Sequence, residues 1–298
     1  MPQLAPGAGT ALDPMVRPCA LPLPSAGWGV ADALAAFEAA RPSLPPGVAA
    51  PAGVLGALTT VVLDAGEHVV KVYPPGTDAD HLDAIHTVLG GSTSATVSCV
   101  PAVPTVRGVV TVSRRVPPGG SPVTWAEVGA ALLRFHLENG GRSVPAWAPL
   151  SRLPAEVSSL PDEQAEVLLT ARDVLLAALS GVRSELGCDT IHGDVSPSNV
   201  LREGRGVTLI DLDWVARAPR EYDLASASRR FRSGEIDRAT YRSFCRAYGH
   251  DVLGWEGLPL MDRVADLAGV VFRIWDCRFH GRDLDWLPDE LRLWRTPL

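Results

Sequence analysis

Apolar residues recur along the chain in two rhythms, and the change from one to the other divides it into unequal parts. Between about residues 48 and 116 the rhythm is short. Leu58–Leu63, His68–Tyr73 and Val106–Val112 are β-prone runs of strand length, and Asp64-Ala65-Gly66 between the first two predicts a hairpin turn. A helical stretch, Ala79–Leu89, follows the second run. From Thr124 onward the spacing lengthens: Thr124–Glu138 carries Val128, Ala131, Leu132 and Phe135 on one face, and Glu163–Leu186, Ile236–Tyr248 and Met261–Cys277 also read as helices. Gly187 is a stop signal after the second of these, and residues 139–161, rich in Gly, Pro and Ser, form a long connection. Near the start, Val30–Ala40 has helical spacing that Pro42 ends, while residues 1–27, rich in Pro, Ala and Gly, read as loosely ordered. The pattern predicts an α+β chain: an N-terminal extension with a short helix (1–45), a small β-rich lobe (46–116) and a larger helical lobe (117–298).

Composition narrows the class. With 46% hydrophobic and 20% charged residues among 298, both lobes can bury real cores. A net charge of −7 argues against nucleic acid as a partner, and the densest basic cluster, Arg229, Arg230 and Arg232, reads as a solvated helix face. No apolar stretch approaches the roughly 20 residues of a membrane span. The first residues lack a basic leader with a long apolar core, and Cys19, Cys99, Cys188, Cys245 and Cys277 are scattered singly, without zinc-site spacing. The expectation is a cytoplasmic protein that keeps its thiols reduced.

The chemistry concentrates in IHGDVSPSNVLREGRGVTLIDLDW, residues 191–214. Asp194 can accept a hydroxyl proton, while Asn199, five residues on, and Asp211 beyond it supply hard oxygen ligands for magnesium, the set that phosphoryl transfer from a nucleotide needs. Pro197 and its neighbours make a loop, Asn199–Leu201 enters a strand, Gly204 and Gly206 allow a turn, and Val207–Leu212 returns. Asp213 would share one side of a strand with Asp211 and is a candidate ligand for a second ion, with a solvated turn as the alternative. His192 reads as structural. Of the 27 basic residues, Lys71 is the only lysine, and it stands in the β-branched run HVVKVY. A compact ammonium reaches phosphate oxygens where a planar guanidinium fork would clash.

On these residues the chain resembles the aminoglycoside phosphotransferase and choline kinase group, the small-molecule branch of the protein-kinase-like fold. The matching pieces are Val69–Val72, GAALLRFH (129–136), HGDVSPSN, LIDLD and EYDLA (221–225), and they run in order through about two thirds of the chain. Gly193 stands where protein kinases carry an arginine. The resemblance implies two lobes with ATP or GTP between them, Lys71 ordering the phosphates, Mg2+ on Asn199 and Asp211, Asp194 orienting the acceptor, and Asp223 bracing the catalytic loop. Adenine would meet the backbone of a hinge at residues 113–118, bringing in Ser113, Arg115 and Val116. The family lysine is normally held by a helix glutamate, yet no Glu occurs between Lys71 and Glu127, so Asp80 or Asp83 would substitute, Asp83 being nearer the helix middle. The glycine-rich lid is degenerate at Gly53 and Gly56. The implied acceptor is a small-molecule hydroxyl, such as that of an aminoglycoside, another antibiotic (a resistance function) or an amino sugar. The tail residues Asp283, Asp285, Asp289 and Glu290, among Trp286 and Trp294, would offer it carboxylates and rings, or form a solvated final helix. A Ser or Thr of a peptide intermediate as acceptor, and a catalytically weak nucleotide-binding regulator, remain alternative readings.

Overall fold

Helix α1 (Val30–Ala40) forms where its spacing places it, and it buries Ala33, Ala36, Phe37 and Ala40. In the computed structural model, which describes residues 19–117, 119, 121–204 and 206–298, that face packs on a sheet of five strands. These are β1 (Gly53–Ala57), β2 (Val61–Ala65), β3 (His68–Tyr73), β4 (Val103–Thr105) and β5 (Gly108–Arg114), antiparallel in the order β1-β2-β3-β5-β4. Leu63, Val70, Val72, Val110 and Val112 meet α1 in one apolar cluster, so a boundary at residue 45 separates the helix from the core it completes. Alternation leaves Lys71, between Val70 and Val72, on the opposite face.

The hairpin differs from its expected form by a slip along the chain. Ala65 still pairs with His68, so Gly66 and Glu67 make the turn, with Gly66 at φ 73°. Strands β1 and β4 escape a reading of hydrophobic runs because one is broken by Gly56 and the other carries Pro104. Both are edge strands, where such residues are tolerated. Helix α2 (Ala79–Val88) follows β3, capped by Asp78 accepting from the His81 N–H.

The larger lobe opens with α3 (Trp125–Asn139), whose Thr124 and Glu127 form a reciprocal capping box. Then come α4 (Leu153–Val157), α5 (Asp162–Leu179), β6 (Cys188–Ile191), β7 (Val200–Glu203), β8 (Gly206–Leu209), β9 (Ala216–Pro219), α6 (Glu221–Arg232), α7 (Arg238–Tyr248), α8 (Leu258–Phe279) and α9 (Leu287–Trp294). The α5 helix stops at Leu179, short of the expected 186, where Ser180 and Gly181 follow. Strands β6 and β9 pair Cys188 with Pro219 through Ile191 with Ala216, and β7 and β8 form the expected hairpin. Helix α3 packs closely on α7: a Cβ on Gly129 would lie 2.6 Å from the Phe244 carbonyl oxygen, so only glycine permits the approach. The arginines of α6 are paired, Arg230 with Glu235 and Arg232 with Asp262, each at 2.7 Å, and Arg229 with Asp266. Among the described residues, no helix is long and apolar enough to cross a membrane.

Residues 19–24 are fixed to both lobes. The Ala20 carbonyl accepts the Asp78 N–H at 2.8 Å, the Leu21 carbonyl accepts Arg152 Nε at 2.6 Å, and the Pro24 carbonyl accepts Trp275 Nε1 at 2.7 Å. The expectation of loose order for residues 1–27 falls outside the described residues at 1–18 and fails for 19–24. A proline-rich segment has few donors, but its carbonyls can still anchor it.

Candidate active site

Lys71 sits mid-strand in β3, paired with Val62 and Thr111, and its side chain reaches down to the turn after β8. There its ammonium donates to Asp211 at 2.5 Å and to Asp213 at 2.7 Å. Asp213 also accepts the Tyr73 hydroxyl at 2.7 Å. Tyr73 escaped the sequence reading although the signal was there: it lies two residues after Lys71 and so on the same side of the strand. Asp211 is left-handed (φ 64°) and Leu212–Trp214 form a 3-10 turn, so the two carboxylates converge through a turn and not through strand alternation.

The expected Lys71–Asp83 pair is not formed. Asp83 accepts the Ala102 N–H at 2.6 Å, because the shorter side chain caps a neighbouring loop while Asp213 occupies the lysine. Helix α2 brings two histidines near this group, His81 and His86; His86 Nδ1 accepts the Ser98 N–H at 3.1 Å, and burial pushes both pKa values down. Ser113 lies within β5, paired with Val69, so the chain leaves the sheet after Arg114. Arg115 donates its N–H to the Glu67 carbonyl and pairs with Asp64, and Val116 is buried; Pro118, the end of the expected hinge, lies outside the described residues.

Between β6 and β7 the loop His192–Asn199 is suspended from a buried carboxylate. Asp223, 2% exposed, accepts the His192 N–H at 2.7 Å and the Gly193 N–H at 2.8 Å, and its Oδ2 lies 2.9 Å from His136 Nε2. His136 in turn contacts the Tyr248 hydroxyl at 2.8 Å. The His192 ring faces the Ile210 carbonyl at 3.0 Å, which makes it a tie between loop and hairpin, as expected. Gly193 has φ 85° and lies against the Trp214 backbone, so a side chain is excluded there. The loop presents Asp194 to solvent, and the Asn199 amide donates to its carboxylate at 2.9 Å.

The electrostatics are unbalanced toward the negative. Burial opposes the Lys71 charge, but Asp213 and Asp211 outweigh it and raise its pKa well above the usual lysine value. Burial likewise opposes the Asp213 carboxylate, and Lys71 with Tyr73 outweigh it to hold the pKa below normal. Asp211 goes the other way: burial and the nearby charges of Asp213 and Asp194 raise its pKa despite Lys71. One ammonium thus serves a group of three carboxylates. Among the described residues, no group of three or more His, Cys, Asp or Glu is placed to hold a metal ion. Asp211 and Asp213 converge on Lys71, and the Asn199 amide is turned to Asp194.

A cavity of about 590 Å³ adjoins Asp194 and Asp213. It is lined by residues 145–153 of the long connection, by 19–21 and Leu23, by Trp214 and Tyr222, and by one face of α8. None of Asp283, Asp285, Asp289 or Glu290 lines it, because α9 packs Leu287, Leu291 and Trp294 into the far core. Of the two readings of the tail, the solvated final helix fits: Asp283, Asp285 and Asp289 are exposed.

Residues 48–267 match the model of a phosphotransferase enzyme family. Among solved structures, the chain is similar to a choline kinase from Streptococcus pneumoniae (14% identity, TM-score 0.58, covering 88% of this chain and 97% of that one). It is similar also to an aminoglycoside phosphotransferase from Streptomyces rimosus in complex with ADP and streptomycin (19%, 0.53, 78% and 98%). A third is an amicoumacin kinase in complex with AMP-PNP and Ca2+ (14%, 0.60, 85% and 88%). At these identities the likeness shows the protein-kinase-like fold. No curated protein matches the chain in sequence.

Proposed function

The chain belongs to the phosphotransferase enzyme family, and from that premise we propose that it moves the γ-phosphoryl group of ATP or GTP, with Mg2+, to a hydroxyl of a small molecule. The observation that carries this reading is the convergence of Lys71, Asp211 and Asp213 beside the Asn199-held Asp194. Asn199, Asp211 and Asp213 would hold Mg2+, which neutralises charge on the transferring group when bound. Lys71, exchanging a carboxylate for a phosphate, orders the nucleotide across the lobes. Asp194 orients the acceptor and takes its proton. The hydroxyl oxygen bonds to the γ-phosphorus as the bond to the β,γ-bridging oxygen breaks, its electron pair leaving with the nucleoside diphosphate. Positioning and charge supply most of the catalysis. The cavity beside Asp194 supports a small acceptor over a peptide, and five free thiols suit a cytoplasmic location.

Melting temperature measured with ATP and with GTP, each with and without Mg2+, tests the reading. A magnesium-dependent rise that disappears in Asp211→Ala is expected, since a ligand of the native state stabilises it by mass action. No rise with either nucleotide would overturn it.

A further inference from the structure

The acceptor cavity contains a cation without a counter-ion. Arg152, at the start of α4, lines it beside Trp214, with its guanidinium 4.5 Å from the centre of that indole ring. Its Nε is committed to the Leu21 carbonyl, and Cys19 is a further polar neighbour. Glu156 and Asp213 are felt electrostatically, yet Arg152 makes no ion pair among the described residues. Burial draws its pKa down by more than Cys19, Asp213 and Glu156 raise it.

The acids of the same cavity are already engaged. Asp213 holds Lys71 and Tyr73, Asp194 faces the reacting hydroxyl, and Asp78 is an exposed helix cap on α2. Of the remaining lining, Leu23, Trp147, Leu150, Tyr222, Val271 and Phe272 are apolar or aromatic, and His81, Ser151 and Cys19 are polar without a negative charge. A polycation would meet no free carboxylate at depth. Resting on the kinase reading, we propose that the acceptor is a hydroxy acid: an apolar or aromatic body whose anionic group pairs with Arg152 while its hydroxyl faces Asp194. A planar guanidinium stacked on an indole keeps its outer N–H groups free for a carboxylate, the geometry that favours bidentate pairing.

The test uses the full chain and a panel of aromatic and branched aliphatic hydroxy acids, beginning with 4-(hydroxymethyl)benzoate. Each is matched with its uncharged alcohol and its amine, here benzyl alcohol and 4-(hydroxymethyl)benzylamine, with kanamycin as a polycation. Nucleoside diphosphate release from MgATP or MgGTP is measured, after a melting rise with Mg·AMP-PNP or Mg·GMP-PNP has established the nucleotide site. The acids should be preferred in kcat/KM over both partners. Arg152→Met should raise the acid KM by about 10- to 100-fold, the worth of hydrogen bonds to a charged group, and erase the preference over the alcohol. Arg152→Lys should restore part of it, and the melting rise checks that each variant is folded. Preference for amines or kanamycin, turnover of none of the acids, or an Arg152→Met enzyme with its acid preference intact overturns the proposal. A missing melting rise overturns the kinase reading instead, so the two failures are distinct.

Discussion

The Lys71 ammonium lies 2.7 Å from the Asp213 carboxylate, across 142 positions of sequence. The lysine proposed to order phosphate is thus anchored by the turn that carries the metal-ligand candidates. A shift of that turn moves both charges together.

Asp213→Asn should therefore act on stability and on nucleotide affinity at once. Loss of a charged acceptor is worth about 1.5–3 kcal/mol, against about 0.5–1.5 for the neutral Tyr73 hydroxyl removed in Tyr73→Phe. Urea unfolding and titration with a nonhydrolysable nucleotide measure the two effects. Equal costs for the two variants would assign the anchor to Tyr73.

Asp194 is exposed, so its replacement should spare the fold. Asp194→Asn is expected to lower kcat by about 10²- to 10⁴-fold, the usual contribution of a general base, while the nucleotide-induced rise in melting temperature persists. Retention of most activity would remove Asp194 from its assigned role.

Asp223 offers the opposite balance. In Asp223→Ala, the N–H groups of His192 and Gly193 and the His136 ring lose a buried partner, each at about 1–3 kcal/mol. A lowered melting temperature and a collapse of kcat should appear together, the loop having lost its suspension. A variant as stable as the parent would show that the loop holds itself.

Glu138 makes the stability depend on pH. Burial works against its carboxylate, but hydrogen bonds from Ser94, Thr93 and Ser92 outweigh it and lower its pKa from 4.5 to about 2. A depressed pKa adds stability that is complete above 4.5 and is lost as the pH falls toward 2. Melting temperatures from pH 6 to 2 should fall less steeply for Glu138→Gln than for the parent. Parallel curves would discount the contribution.

Much of this was legible in the sequence, and for local reasons. Helices α1, α2 and α3 and strand β3 carry their own periodicity and caps. The order Asp194, Asn199, Asp211 lies within one loop and hairpin, where spacing nearly determines placement. What escaped depends on partners far along the chain. The sequence offers Asp80 or Asp83 for Lys71, and packing of the Leu212–Trp214 turn under β3 supplies Asp213 instead. Strands β6 and β9 are four residues each and gain meaning only from one another. The tail acids looked suited to an acceptor until the apolar face of α9 turned them away.

The carbonyl ties of residues 19–24 have a mechanical consequence. Lobes joined by a single connector open like a book about its spine. Here a second clasp runs from Asp78 on one cover to Arg152 and Trp275 on the other. A book with a second clasp does not open until that clasp is released. Parting the lobes along this segment requires one of these hydrogen bonds to break, and the one at Leu21 holds the arginine that lines the cavity.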